Sequence, residues 1–560
     1  MVQARTTRGR WLAAVCLVSV ASLVLTGCVQ SQRGRHPAAG RGGGTLTFGL
    51  EGQPKVFDPF YAADGPTFVV THQLFNNLVT FKPGTTELTG ELASGYEISP
   101  DGLSYTFHLR KGVTFTDGTG FDATTVCKNF ARWYGQTGAG QAEAVSQYWV
   151  DNVGGFSDGK MPSLYSSCAV QDPSTAIVRV SRTSSQFLEL LAEAPFAIQS
   201  PTAMDAGHAN DVRRQGGSFT FPPYSSTPVG TGPFKLFRDD VTNKTIELVR
   251  NDGYWGDKAK LDKLVFKVIG DETVRKQELQ SGGIDGYDLP SPADWAPLET
   301  DGYQVLKRPA FDLLYLGLGQ KNNPALRELK VRQAIAYAIN RRQLVKTQLP
   351  EGALVATQFQ PSSVDGYAND VRAYDYDPVK ARQLLAEAGK PNLTVNFYWP
   401  SEVTRPYMPS PHDIYTAITN DLRAAGITVN AVTRPWNGGY LAALDQGSAD
   451  LFLLGWFGDI PVTANWSGQF FGDPDNRFGT GNSPWGQQLA NMLRRADADP
   501  DPARRTSDYQ DINRKIMAEY LPGVPLAHSP PAIVFKKNVT GFVPSPMTSS
   551  EESYGPVSVS

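Results

Sequence analysis

The most constraining feature of this chain is an alternation of helix and strand signals between residues 377 and 454. Asp377-Pro378 predicts a helix start, because aspartate accepts from free amide groups and proline tolerates the first helical position. The helix is expected to end at Gly389. Strand, helix, strand, helix and strand signals then follow over 393–399, 412–425, 427–433, 436–445 and 450–454. This β-α-β-α-β series predicts an α/β fold with a mostly parallel sheet and a ligand crevice beyond the strand carboxyl ends.

Two loops that follow strands of this series carry charged side chains. One is the proline-rich stretch 401–411, which contains Arg405, and the other is Gly455-Trp456-Phe457-Gly458-Asp459. Loops at neighbouring strand ends are the expected place for a ligand in such a sheet. Both residues also have an ordinary interpretation. Asp459 precedes Pro461 and suits a surface turn, and Arg405 precedes a proline and suits a surface arginine.

The chain as a whole is long enough for more than one core. Its 560 residues predict two or more lobes. Near the start, Thr45–Leu50 alternates polar and apolar residues as a strand does, and Tyr105–Arg110 does the same. Between them, Thr67–Leu78 has the pattern of an amphipathic helix.

The amino terminus carries an export signal. Arg5, Arg8 and Arg10 precede an apolar run, Trp11 to Leu25, that is too short to span a bilayer comfortably. A basic head followed by such a run is typical of a secretory signal peptide.

The end of this signal, Leu25-Thr26-Gly27-Cys28, resembles the lipobox of bacterial lipoproteins. The resemblance implies that residues 1–27 are removed and that Cys28 carries the lipid anchor. Residues 28–44 would be a flexible tether, since their glycine-rich polar sequence buries little apolar surface. The protein would then be lipid-anchored at the extracytoplasmic face of the bacterial cell membrane. The alternative is a signal peptide cleaved elsewhere, with Cys28 a free thiol.

Charge and motifs exclude several classes of function. The net charge is −3 and no basic stripe argues for nucleic acid. The six histidines form no His-Glu-x-x-His pattern, and no Gly-x-Ser-x-Gly motif is present, so neither a metal site nor an enzyme is expected. Besides Cys16 in the signal and Cys28, the chain has only Cys127 and Cys168. In an exported protein this pair predicts a disulfide, with two free thiols as the alternative.

Five stretches carry a resemblance to a known family. They are Asp101–Val113, Pro228–Phe234, Arg250–Gly256, Val331–Arg341 and Gly455–Asp459. In this order they resemble the extracytoplasmic solute-binding proteins, family 5, of bacterial ABC importers. The dipeptide-binding lipoproteins of that family are the most similar.

The resemblance implies a two-lobed α/β architecture, the type II periplasmic-binding-protein fold of cluster C, with an extra subdomain in the N-terminal lobe. Lobe I would comprise 45–305 and 527–560, with the inserted subdomain at 85–185. Lobe II would comprise 306–526. Cys127 and Cys168 would both lie in the insert.

The resemblance also implies a role and a site. The protein would bind short peptides between its lobes and deliver them to ABC permease subunits, as a monomer without a cofactor. Asp459 would hold the peptide ammonium, and Arg405, in Arg405-Pro406-Tyr407-Met408-Pro409, the carboxylate. Tyr407 and Trp456 are further candidates for the ligand site, unless they are core residues. The alternatives are another solute (haem, a nickel complex, glutathione or an oligosaccharide), or a surface hydrolase or a non-transport interaction protein.

Overall fold

The computed structural model describes residues 43–547 and 552–560. The predicted signal peptide 1–27, the predicted lipid anchor Cys28 and nearly all of the predicted tether 28–44 lie outside these residues. The described residues form one compact unit. None of their helices combines the length and the apolar character that crossing a bilayer requires.

The strands of the described residues are numbered in chain order. They are β1 Thr45–Leu50, β2 Val79–Phe81, β3 Leu88–Gly90, β4 Ala93–Ile98, β5 Ser104–Leu109, β6 Tyr165–Asp172, β7 Thr175–Val180, β8 Arg213–Gln215, β9 Ser218–Thr220, β10 Phe234–Asp240, β11 Thr245–Arg250, β12 Lys263–Val268, β13 Gly286–Asp288, β14 Gln304–Lys307, β15 Asp312–Leu318, β16 Leu354–Val355, β17 Thr394–Ser401, β18 Thr428–Pro435, β19 Leu451–Phe457, β20 Gly523–His528, β21 Ala532–Phe535, β22 Val539–Thr540 and β23 Ser558–Val559.

The α-helices are numbered in the same way. They are α1 Gly65–Leu74, α2 Ala123–Tyr134, α3 Gln147–Asn152, α4 Phe187–Leu190, α5 Pro201–Ala206, α6 Glu272–Ser281, α7 Trp295–Thr300, α8 Leu329–Ala338, α9 Arg341–Gln348, α10 Pro378–Glu387, α11 Pro411–Ala424, α12 Leu441–Asp445, α13 Ser467–Phe471, α14 Gly486–Asp497 and α15 Pro502–Lys515.

One sheet joins the two ends of the described chain. Its strand order is β10-β11-β12-β1-β13-β21-β14. Strand β1 runs parallel to β12 and β13, and β21 pairs antiparallel with β13 and β14. The ring of Phe48 on β1 contacts the rings of Phe266, Phe535 and Tyr554. Residues near the carboxyl terminus therefore complete the core that β1 begins.

A second sheet contains the predicted β-α-β-α-β series. Its order is β16-β20-β15-β19-β17-β18, and β17 runs parallel to both β18 and β19. The helix start is also confirmed, because the Asp377 carboxylate accepts from the Lys380 amide at 2.8 Å. The expectation of a mostly parallel sheet is wrong for the other half. Strands β15, β20 and β16 come from outside the series and pair antiparallel.

Three local predictions need correction. Strand β19 continues to Phe457, which pairs with Asp312 of β15, so Gly455–Phe457 is strand rather than loop. The expected helix 436–445 is a wide turn over Trp436–Tyr440 followed by α12, because Gly439 adopts a φ of 99° that ends helical geometry. Helix α1 ends at Leu74, and it is not amphipathic, since its side chains are buried on every face.

A third sheet, β4-β5-β7-β6, packs against α2. Cys127 of α2 and Cys168 of β6 form a disulfide, with their Cα atoms 5.2 Å apart, and this confirms the predicted pairing. The sheet and the disulfide both fall within residues 85–185. The division of the chain into lobe I and lobe II stays a prediction.

Candidate functional site

The loops after β17 and β19 meet at the carboxyl ends of these strands, because the two strands are parallel neighbours in the second sheet. In the loop after β17, Arg405 and Met408 exchange backbone hydrogen bonds of 3.1 and 2.8 Å across a tight turn. This turn points the Tyr407 ring inward, where it is 4% exposed and lies 5.4 Å from the ring of Phe457. The loop after β17 is therefore in direct contact with the end of β19.

Two glycines allow this close packing. A Cβ atom at Gly455 would lie 2.3 Å from the Tyr407 ring, and one at Gly458 would lie 2.2 Å from the Trp466 ring. Real Cβ atoms do not approach other atoms so closely. The glycines of the Gly-Trp-x-x-Asp segment thus bring β19 against Tyr407 on one side and Trp466 on the other.

Asp459 is held at the start of its loop by Asn465. The Asp459 amide donates to Asn465 Oδ1 at 2.9 Å, and Asn465 Nδ2 donates to the Asp459 carboxylate at 3.5 Å. The Asp459 side chain is accessible to solvent, although many protein atoms lie around its carboxylate. This burial raises the pKa of Asp459 to about 6, against the opposing effect of Asn465 and with a further contribution from Asp151.

Asp459 lines a cavity of about 340 Å³, which we call the acidic cavity. Five carboxylate side chains line it, from Glu51, Asp64, Glu193, Asp288 and Asp459. The other lining residues are Ala63, Gly65, Phe68, Tyr148, Ala194, Pro195, Leu289, Phe457, Gly458 and Met547. No lysine or arginine is among these described residues. The cavity therefore favours a ligand group of positive charge.

The titratable groups of the acidic cavity act on one another. The pKa of Tyr148 is raised well above its usual value by burial and by the negative charge of Asp459. The pKa of Glu51 is also raised, by burial first and then by Asp288, while Arg275 and Arg405 act in the opposite direction. No group of three or more histidine, cysteine, aspartate or glutamate side chains is placed to hold a metal ion anywhere in residues 43–547 and 552–560.

Arg405 lies beside the acidic cavity rather than on its lining. Its guanidinium carbon is 5.0 Å from the centre of the Trp436 ring, an arrangement typical of a cation–π contact. Its charge nevertheless acts on Glu51 inside the cavity and on the buried Tyr407 hydroxyl. Burial raises the pKa of Tyr407 to about 12, and Arg405 opposes that shift.

Trp456 faces a different space. Successive strand residues point to opposite sides of a sheet, so Trp456 points away from Phe457. It lines a second cavity of about 330 Å³ together with Tyr315, Phe470 and Phe478, and we call this space the aromatic cavity. The Trp456 ring contacts Phe470, and its buried Nε1 donor has no hydrogen-bond partner among the described residues. The structure therefore does not place Trp456 and Asp459 on one cavity.

Comparisons with known proteins agree with this arrangement of sheets and loops. Residues 87–478 match the profile of the bacterial extracellular solute-binding proteins, family 5. The chain is 31% identical to the dipeptide-binding protein of Escherichia coli K12 over 90% of this chain and 92% of that protein. It is 30% identical to the haem-binding protein A of Haemophilus influenzae over 96% and 97% of the two chains.

The fold also agrees with that of a solved structure of similar sequence. A solved structure of the periplasmic binding protein DppA of Helicobacter pylori, in complex with the peptide STSA, superposes with a TM-score of 0.69 at 27% identity. The match covers 93% of this chain and 98% of that one.

The chain belongs to solute-binding protein family 5. The predicted family and fold class are thus confirmed. The chain is a solute-binding protein of the kind that serves ABC importers, and the family is one of binding proteins rather than enzymes.

Sequence reasoning missed most of the acidic cavity of this family member. Glu51 directly follows β1, so the strand-end rule that identified Asp459 could also have found it. Asp64 was detectable only as a helix cap, because its carboxylate accepts from the Thr67 amide at 3.0 Å. Asp288 ends β13, which is parallel to β1, so the same rule could have found it. Tyr148 and Glu193 carry no local signal, since long-range packing alone brings them to the cavity.

Proposed function

We propose that this protein captures short peptides in the acidic cavity and delivers them to a membrane permease. Asp459 pairs with the peptide α-ammonium group, and Arg405 binds the carboxylate at the other end of the ligand. A guanidinium suits a carboxylate because it can donate two parallel hydrogen bonds. Tyr407 positions Arg405 by anchoring its turn, and Trp456 supports β19 from the opposite face.

The observation that carries this proposal is the charge of the acidic cavity around Asp459. A buried ammonium group needs an acceptor of opposite charge, and the described lining offers carboxylates without a competing lysine or arginine. The similarity to dipeptide-binding proteins over nine-tenths of the chain supports the same ligand class.

The division into two lobes supports a mechanism of closure. In the proposal, lobe I comprises 45–305 with 527–560, and lobe II comprises 306–526. Glu51 and Asp288 belong to the first of these and Asp459 to the second, so a ligand in the acidic cavity contacts both. Such a ligand favours the closed arrangement by its differential affinity, and the closed form is the one presented to the permease.

The anchor completes the proposal. A lipid on Cys28 and a tether over 28–44 would keep the receptor concentrated near its permease. A secreted Cys28→Ser form should bind peptides as before and support less uptake. Full uptake by that form would contradict a role of the anchor in transport.

Haem is a second candidate solute, because a haem-binding relative matches 96% of this chain. The charge of the acidic cavity favours the peptide instead. Haem carries two propionate groups, and the described lining offers them carboxylates but no lysine or arginine as a partner.

Two measurements decide between these ligands. Mass spectrometry of ligand released from the purified protein should find peptides. In thermal-shift screening, di-, tri- and tetrapeptides that bind should raise the melting temperature, through a stabilisation that grows as RT ln(1 + [L]/Kd). Two results would contradict the peptide proposal. One is released haem. The other is a visible absorption band on haem titration when no peptide raises the melting temperature.

A further inference from the structure

We propose that Glu51 makes the acidic cavity selective for peptides whose first residue is lysine or arginine. The inference rests on the proposed peptide-binding function. It adds a second cation, on the ligand's first side chain, to the α-ammonium group that Asp459 would hold.

The partners of the lining carboxylates single out Glu51. Asp288 accepts from Arg308 Nη1 at 2.6 Å, so its charge is already compensated. Asp64 caps α1 and lies 3.6 Å from Lys55 Nζ. Glu51, in contrast, has no hydrogen bond or ion pair with any residue that the structure describes, and its side chain stays accessible to solvent although protein surrounds much of it. It is available to a ligand cation.

Glu51 and Asp459 reach the cavity from different sheets. Glu51 follows β1 of the seven-stranded sheet, and Asp459 follows β19 of the six-stranded sheet. Both line the same space. A ligand between them therefore has two separate carboxylates available, and a peptide with a basic first residue presents two cations on that residue, its α-ammonium group and the charged end of its side chain.

The lining also suits the long apolar stem of a lysine or arginine side chain. Phe68, Tyr148 and Leu289 contribute apolar or aromatic surface, against which methylene groups can pack while the charged end reaches a carboxylate. An ammonium or guanidinium group near an aromatic face gains further. Leu289 is held at a φ of 56°, unusual for leucine, while its amide donates to Asp288 Oδ1 at 2.8 Å.

Electrostatics around Glu51 agree with this role. Burial and Asp288 raise its pKa, which means that its ionised form lacks full compensation in the protein alone. A ligand cation supplies that compensation. A neutral first side chain does not.

The test is calorimetry with three dipeptides, Lys-Ala, Ala-Lys and Ala-Ala, on the native protein and on Glu51→Gln. The native protein should bind Lys-Ala at least tenfold tighter than Ala-Ala, with Ala-Lys close to Ala-Ala. In Glu51→Gln the advantage of Lys-Ala should disappear, while Ala-Ala binds within threefold of native. Glu299→Gln, an exposed glutamate on α7, is the matched control and should retain the native preference.

Two results would overturn the inference while leaving the proposed function intact. One is equal affinity of the native protein for Lys-Ala and Ala-Ala, which needs no variant and so does not depend on the folding of Glu51→Gln. The other is an equal loss for all three peptides in Glu51→Gln, which would assign Glu51 to the α-ammonium group. If the native protein bound none of the three dipeptides, this inference would be wrong, and so would dipeptide binding within the proposed function.

Discussion

The acidic cavity and the aromatic cavity adjoin the same strand, yet they are built in different ways. The acidic cavity takes its lining from distant parts of the chain, from Glu51 to Met547. The aromatic cavity takes nearly all of its lining from residues 445–478, with Tyr315 of β15 as the exception. Only the first combines residues that follow strands of both large sheets, so only there can one ligand contact both sheets at once. The comparison predicts that the affinity for a peptide depends on the acidic cavity and not on the aromatic cavity.

The largest effect should come from Asp459. Asp459→Ala should weaken binding of a dipeptide by about 3 to 5 kcal/mol, because the α-ammonium group would lose its partner inside the closed form that we propose. Isothermal titration calorimetry measures the change. Asp473→Ala, which removes a carboxylate from the aromatic cavity instead, is the matched control and should bind as native. Equal losses in the two variants would remove the distinction between the cavities.

The elements that place Asp459 could largely be predicted from the sequence, because their ends depend on local rules. Helix caps such as Asp377, strand alternation in Thr45–Leu50 and glycine stops fix where elements begin and end. The parallel neighbours β17 and β19 then bring the Arg405 and Asp459 loops to one edge.

What the sequence could not predict depends on long-range packing. The antiparallel partners β15 and β20 lie outside the repeating series, and their pairing extends β19 through Trp456 and Phe457. That extension turns Trp456 away from the Asp459 side. Glu193 reaches the acidic cavity only through tertiary contacts, so no local pattern predicts it.

A smaller effect is expected at Arg405. Arg405→Ala should weaken binding of a dipeptide by about 1.5 to 3 kcal/mol, the range for hydrogen bonds to a charged group. The loss should shrink for a dipeptide amide, which lacks the terminal carboxylate. Arg434→Ala, an exposed arginine at the end of β18, should leave both affinities unchanged. If Arg405→Ala weakened the acid and the amide equally, Arg405 would not bind the ligand carboxylate.

The pH dependence should follow the ionisation of Asp459. Its pKa in the free protein is raised to about 6, and only the carboxylate form pairs with an ammonium group. Binding therefore approaches full strength near pH 7 and is lost as the pH falls through the pKa. Dipeptide affinity should drop about tenfold between pH 7 and pH 5, or about 1.4 kcal/mol. Asp459→Asn should bind more weakly and without this pH dependence; a persistent tenfold change would assign the titration to another group.

The smallest effect is expected in the aromatic cavity. Trp456 lies on the face of β19 opposite Phe457. Trp456→Phe removes its buried Nε1 donor, which has no partner among the described residues, and keeps an aromatic ring. Affinity for Ala-Ala should change by no more than about threefold, or about 0.6 kcal/mol. A loss of tenfold or more, with an unchanged melting temperature, would show that the ligand also contacts the aromatic cavity.

The central claim is that this protein recognises a peptide through its α-ammonium group in the acidic cavity. Calorimetry of the native protein with Ala-Ala and with N-acetyl-Ala-Ala tests it most directly, because acetylation removes the ligand's positive charge and leaves the protein untouched. We predict measurable binding of Ala-Ala and a loss of at least a hundredfold for the acetylated peptide. Equal affinity for the two peptides would contradict the account.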